Sequence, residues 1–94
     1  MLHLGRYGRL RLKYLKQHRR ALYLSLKTTF RLNEHLADVD RQAHDMVELL
    51  TSQMAQAEVI REALKATDQM GWVGEMNNIR SRAEEIVFKD IIYC

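Results

Sequence analysis

Arg9, Lys13, Lys16, Arg20 and Lys27 follow one another at steps of three, four and seven residues. At about 100° per residue those steps place the five cations within about 60° of one another on a helix, so the charge forms a stripe. Arg6 and Arg19 flank it, while Arg11 projects from the opposite, apolar side and there needs an acidic neighbour or a gap open to water. Guanidinium forks and ammonium groups in a row suit phosphates, and Tyr7, Tyr14 and Tyr23 lie nearby. Residues 1–33 hold nine Lys and Arg and no acid, whereas residues 34–94 hold six bases against twelve acids. The net charge of +3 conceals that division.

A block of one sign needs an anionic partner or an acidic surface of its own. A merely solvated helix face usually interleaves Glu with Lys, which this one does not. A helix lying on a membrane surface is disfavoured because its apolar side is needed for packing. Polyanion binding therefore leads, and docking on the acidic remainder of the chain is compatible with it. The candidate residues for a nucleic acid or an acidic partner are Arg6, Arg9, Arg11, Lys13, Lys16, Arg19, Arg20 and Lys27.

Other chemistry is poorly supplied. Asp40, His44 and Glu48 form a carboxylate, imidazole, carboxylate ladder one turn apart, a spacing that could hold a divalent ion. The apolar rhythm places all three toward solvent, and no second helix offers a matching set, so no metal is expected. Glu84 and Glu85 point about 100° apart and read as surface partners of Arg80 and Lys89 at i and i+4, not as an acid/base dyad. No serine sits in a nucleophile elbow and no glycine-rich loop precedes a helix, so neither an enzyme nor a cofactor is expected. Cys94 is the one cysteine; it cannot close an internal disulfide, which fits a reducing, cytoplasmic setting.

The elements that must carry the stripe are helical. The chain of 94 residues has no proline and only Gly5, Gly8, Gly71 and Gly74 as glycines, leaving two long stretches without a breaker. A basic helix is expected over about 9–27, with Leu10, Tyr14, Leu15, Leu22 and Leu26 as its apolar side. Leu32, Leu36, Val39, Ala43, Met46, Leu50, Gln53 or Met54, and Ala57 set a 4-3 rhythm for a second helix over about 31–57, with Asn33, or Thr28 and Thr29, as caps. A short connector, 58–67, ends before Asp68, a cap for a third helix. There Trp72, Met76, Ile79, Ala83 and Ile86 repeat the rhythm over about 69–92, widened by Val73, Val87 and Ile91.

Two helices of that length, about 35–39 Å each, pack most simply as an antiparallel hairpin. The expectation is one all-α domain, 1–94, with the basic helix laid across the hairpin. Gly71 and Gly74 each cost the third helix about 1 kcal/mol relative to Ala. A close approach by the connector or the basic helix would explain them, with Trp72 as the anchor of that junction. No run reaches the length of a membrane span, and no signal peptide opens the chain.

The blocks GRYGRLRLKYLKQHRRALY (5–23), RLNEHLADVD (31–40), EALKATDQMGWVGEMNNIR (62–80) and AEEIVFKDIIY (83–93) resemble the TnpV family, small proteins encoded on transposons and other mobilisable elements of Gram-positive gut bacteria. The resemblance spans nearly the whole chain in four ordered blocks. It implies a transposon-encoded protein with a likeness to excisionases, small basic DNA-bending partners of a recombinase. Family members commonly carry a longer segment before the GRYG block, so whatever it does is not expected here. Phe30 stands where a small residue is more usual, which bears on the turn into the second helix.

The leading reading is a non-enzymatic DNA-binding accessory protein of a mobile element. Arg9, Lys13, Lys16 and Arg20 would lie along phosphates, and Arg6, Arg11 or Arg19 would reach a groove. Its alternative is a protein-binding inhibitor of a host nucleic-acid machine, of the anti-CRISPR kind. The partners implied are DNA or a nucleoprotein complex, a recombinase or a CRISPR effector. A third reading spends the heptads on self-association as a coiled-coil homodimer.

Overall fold

Buried residues on the second long helix recur at Leu36, Val39, Ala43, Val47 and Thr51, and on the third at Ile79, Ala83 and Val87. Steps of four dominate both series, the i, i+4 row along one face of an α-helix. The expected Met46 and Ile86 are about 40% exposed, and their neighbours Val47 and Val87 are wholly buried in their place. Each site offers an apolar residue at two consecutive positions, so the register could turn by one residue without exposing more apolar surface. Leu50, Met54, Trp72 and Met76 line the edges of the row.

The computed structural model describes residues 4–57 and 67–94. Its elements are α1 (Arg6–His18), α2 (Arg20–Thr28), α3 (Leu32–Ala57), α4 (Gln69–Val87) and a π-helical turn, Phe88–Ile92. The fold is all-α, and no strand occurs among the described residues. Helices α3 and α4 run antiparallel: Val39, Ala43 and Val47 share a cluster with Val87 and Ile92, while Arg80 further up α4 reaches Glu48 at 3.3 Å. The molecule is elongated, 55 × 25 × 18 Å. The connector expected over 58–67 lies, except for Thr67, outside the described residues, as does whatever Trp72 would anchor there.

Asp68 is the cap the sequence suggests, its side chain accepting from the N–H of Gly71 at 3.0 Å. A Cβ at residue 71 would collide with that same carboxylate, so Gly71 makes room for the cap of its own helix. Around Gly74 a Cβ would meet nothing within 4 Å among the described residues. Of the close approach expected at this glycine pair, the part assigned to the connector lies outside the described residues, and among the described residues nothing approaches Gly74.

The basic segment is two helices, not one. Arg19, with φ −132° and ψ 54°, ends α1 and starts α2. No proline or glycine marks the break, and the chain resumes within one residue, with the N–H of Tyr23 donating to Arg19 O at 2.9 Å. Helix α2 buries no residue fully. At its end the N–H of Phe30 donates to Lys27 O and that of Arg31 to Leu26 O, the paired bonds of a Schellman turn. Its left-handed position is filled by Phe30 at φ 60°, where glycine usually stands.

Candidate nucleic-acid interface

Helix α1 carries no acid in its first turn and no side-chain cap of its own, so its free N–H groups and positive dipole end face a block that is all cations. The carboxylate that answers them belongs to α3. Asp40 accepts from the N–H of Gly8 at 2.8 Å and of Gly5 at 3.3 Å. The approach is close enough that a Cβ on Gly8 would lie 3.1 Å from Asp40 Cβ and 3.2 Å from Leu36 O. Those two glycines read as mere breakers in the sequence; they are the contact surface between α1 and α3.

Arg11 is pulled inward. It is 5% exposed, and its Nη1 donates to Ile92 O at 2.9 Å and to Cys94 O at 3.0 Å. These carbonyls belong to the end of the π turn and the residues just past it, where unpaired acceptors and the negative end of a helix dipole gather. The acidic neighbour or water-facing gap that its place on the wheel required is thus replaced by backbone oxygen. Nε donates to His35 Nε2 at 3.4 Å, which needs a neutral ring there. Burial, and then the Arg11 charge, hold the His35 pKa below its ordinary 6.5, against an opposing pull from Asp38. Arg11 therefore joins the core and is not a residue that can reach a groove.

Arg6 also turns to the protein. Its guanidinium pairs with Glu84 at 2.7 Å and lies 5.7 Å from the Phe88 ring centre and 5.9 Å from that of Tyr7. Burial and Glu84 raise the Tyr7 phenol above its usual 10.0, and Arg6 and Arg80 oppose them. The surface pair expected between Arg80 and Glu84 is not formed: Arg80 serves Glu48 and Glu84 serves Arg6. With Asp40 given to α1 and Glu48 to Arg80, the ladder around exposed His44 is taken apart by its neighbours.

Arg9, Lys13, Lys16, Arg19, Arg20 and Lys27 remain at the surface. The ion pairs among the described residues are Arg6–Glu84, Arg41–Asp38 and Arg80–Glu48, none of which involves those six. Lys16 from α1 and Lys27 from α2 both approach the ring of Tyr23, at 5.7 and 5.9 Å. The bend at Arg19 thus folds the linear stripe of the helical wheel into a patch that straddles α1 and α2. Beside it runs a chain of rings that sequence spacing did not reveal: Tyr7 to Phe88 at 6.2 Å, Phe88 to Tyr93 at 5.7 Å, Tyr93 to Tyr14 at 5.4 Å and Tyr14 to His18 at 5.2 Å. Among the described residues no helix is long and apolar enough to cross a membrane.

An antiparallel helical pair that holds a bent basic segment against its acidic flank, cations outward, defines a small all-α protein with a positively charged display face. No curated protein and no solved structure matches the chain. It belongs to the family of the transposon-encoded protein TnpV, whose family model matches residues 1–92.

Proposed function

We propose that this transposon-encoded protein is a non-enzymatic, cytoplasmic accessory factor that binds duplex DNA through the patch on α1 and α2, in an excisionase-like role beside a recombinase. One observation carries the reading. Among the described residues, the six exposed cations of α1, α2 and the bend between them have no carboxylate partner, although the same fold pairs Arg6, Arg41 and Arg80. Counter-ions released from DNA phosphates would supply the affinity. In this reading Arg9, Lys13, Lys16 and Arg20 lie along the phosphate backbone, and Arg19, exposed at the bend, reaches a groove edge. Any further preference comes from the shape of the duplex.

With about four phosphates neutralised, log affinity falls against log salt with a slope of about −3.6. The test is fluorescence anisotropy of a labelled duplex at two salt concentrations, for the native chain and for Arg9→Glu/Lys13→Glu/Arg20→Glu. The variant is expected to keep its helicity and lose binding. No binding by the intact protein at low salt, or binding indifferent to salt, refutes the reading and leaves the patch to an acidic protein surface.

A further inference from the structure

The ring chain ends in a cleft of about 340 Å³ lined by Leu10, Lys13, Tyr14, Gln17, His18 and Tyr93, a volume near the lower limit of small-ligand sites. Resting on the nucleic-acid reading of the adjoining patch, we propose that this cleft takes one unpaired nucleobase of a single strand, stacked on the tyrosines, with Lys13 on its phosphate.

The pieces match that ligand one by one. Tyr93 is 44% exposed yet is held from behind by Phe88 and from the side by Tyr14, so a ring face is offered to solvent without rotamer freedom to lose. The π turn makes this happen. The N–H of Tyr93 closes a five-residue bond on Phe88 O at 2.7 Å, and the extra residue in the turn leaves position 93 about 100° less far round than a plain α-helix would, against Tyr14 of α1. Leu10 gives an apolar floor. The Gln17 amide has both donors and an acceptor for a base edge, and Lys13 is an exposed ammonium one turn before it. Among the described residues no carboxylate lines the cleft, which suits an anionic strand.

A duplex cannot use this arrangement, because each base face is covered by its neighbours in the stack. Stacking on aromatic rings beside a basic track is how proteins hold single strands, and it tolerates any base because every base has a π face. The exposed cations give the track and the cleft gives the stacking place.

The decisive comparison uses an oligothymidine strand and an abasic strand of equal length, which carry the same charge and differ only in having bases. An oligouridine strand and free thymidine monophosphate form the second pair of arms, separating strand chemistry from a free nucleotide. The native protein is expected to bind the oligothymidine roughly 5- to 150-fold tighter than the abasic strand, the worth of one stacked base. Tyr93→Ser should erase that ratio with duplex affinity unchanged within about twofold, while Tyr93→Phe, which keeps the ring, should retain it. Lys13→Gln should flatten the salt slope on single strands by about 0.7 and leave the base preference intact. Equal affinity for the two strands, or a ratio that survives in a folded Tyr93→Ser protein, overturns the inference while duplex binding stands. Tighter binding of the free nucleotide than of the strand overturns it too. Loss of all nucleic-acid binding at low salt removes the underlying reading with it.

Discussion

Replacing Phe30 by glycine should stabilise the protein, although it removes a large hydrophobic side chain. Phe30 sits at φ 60°, where an L-residue with a Cβ is strained by roughly 1–2 kcal/mol and glycine is not. Its side chain repays little of this, being 93% exposed. Glycine loosens the unfolded chain and so gives back about 0.4–1 kcal/mol. The balance is a gain of about 0.5–1 kcal/mol, or a rise in Tm of roughly 2–8 °C for a domain of this size. Urea and thermal unfolding followed by circular dichroism measure it, with Phe30→Ala as the control. Alanine keeps the Cβ and should stay near the native protein. If alanine and glycine raise stability equally, the exposed ring and not the backbone was the source, and the reasoning about the Schellman turn fails. A destabilised Phe30→Gly refutes it outright.

Two glycines that look alike in the sequence should respond in opposite directions. Gly8→Ala drives a Cβ against the Leu36 carbonyl and Asp40 and should cost about 1–3 kcal/mol, whereas Gly74→Ala, inside α4 with no described residue within 4 Å of the new Cβ, should gain up to about 1 kcal/mol; chemical denaturation of both variants decides. Stability should also fall on mild acidification. His35 has its pKa lowered by folding, so the unfolded chain takes up the proton first, and the contribution is whole above about pH 6.5 and is lost as pH drops from there toward the lower folded value. A His35→Gln variant, measured by urea unfolding between pH 5 and pH 8, should show a flatter dependence over that window; an unchanged slope would sever the link to His35.

The long helices were legible because their signal is local. α3 spans Leu32–Ala57 against an expected 31–57, and α4 starts at Gln69 behind its Asp68 cap as the sequence suggests. The rotation of those helices was not, since Met46 with Val47 and Ile86 with Val87 offer two equally apolar registers. Packing by α1 and the π turn settles between them. The break at Arg19 had no breaker residue to announce it. Of the eight candidate cations, the wheel placed Arg9, Lys13, Lys16, Arg19, Arg20 and Lys27 on surfaces where they are found exposed. It could not foresee that Arg6 would turn to Glu84. Nor could it know that the apolar side holding Arg11 would close over carbonyls more than eighty positions away. Asp40 reaching Gly5 and Gly8 across more than thirty positions is illegible for the same reason.

That bond from Arg11 to Ile92 and Cys94 has a bearing on how the protein is made. Residues separated by 81 and 83 positions can meet only after nearly all the intervening sequence has been synthesised, and loop closure over that span is among the slower steps available to a small helical chain. Until then the guanidinium of Arg11 lacks the carbonyls it donates to, although Asp40 on α3 can already hold the start of α1. The fixed display of charge on α1 is thus completed by contacts that span almost the whole of the described fold, and the orientation of the exposed cations depends on residues far along the chain from them.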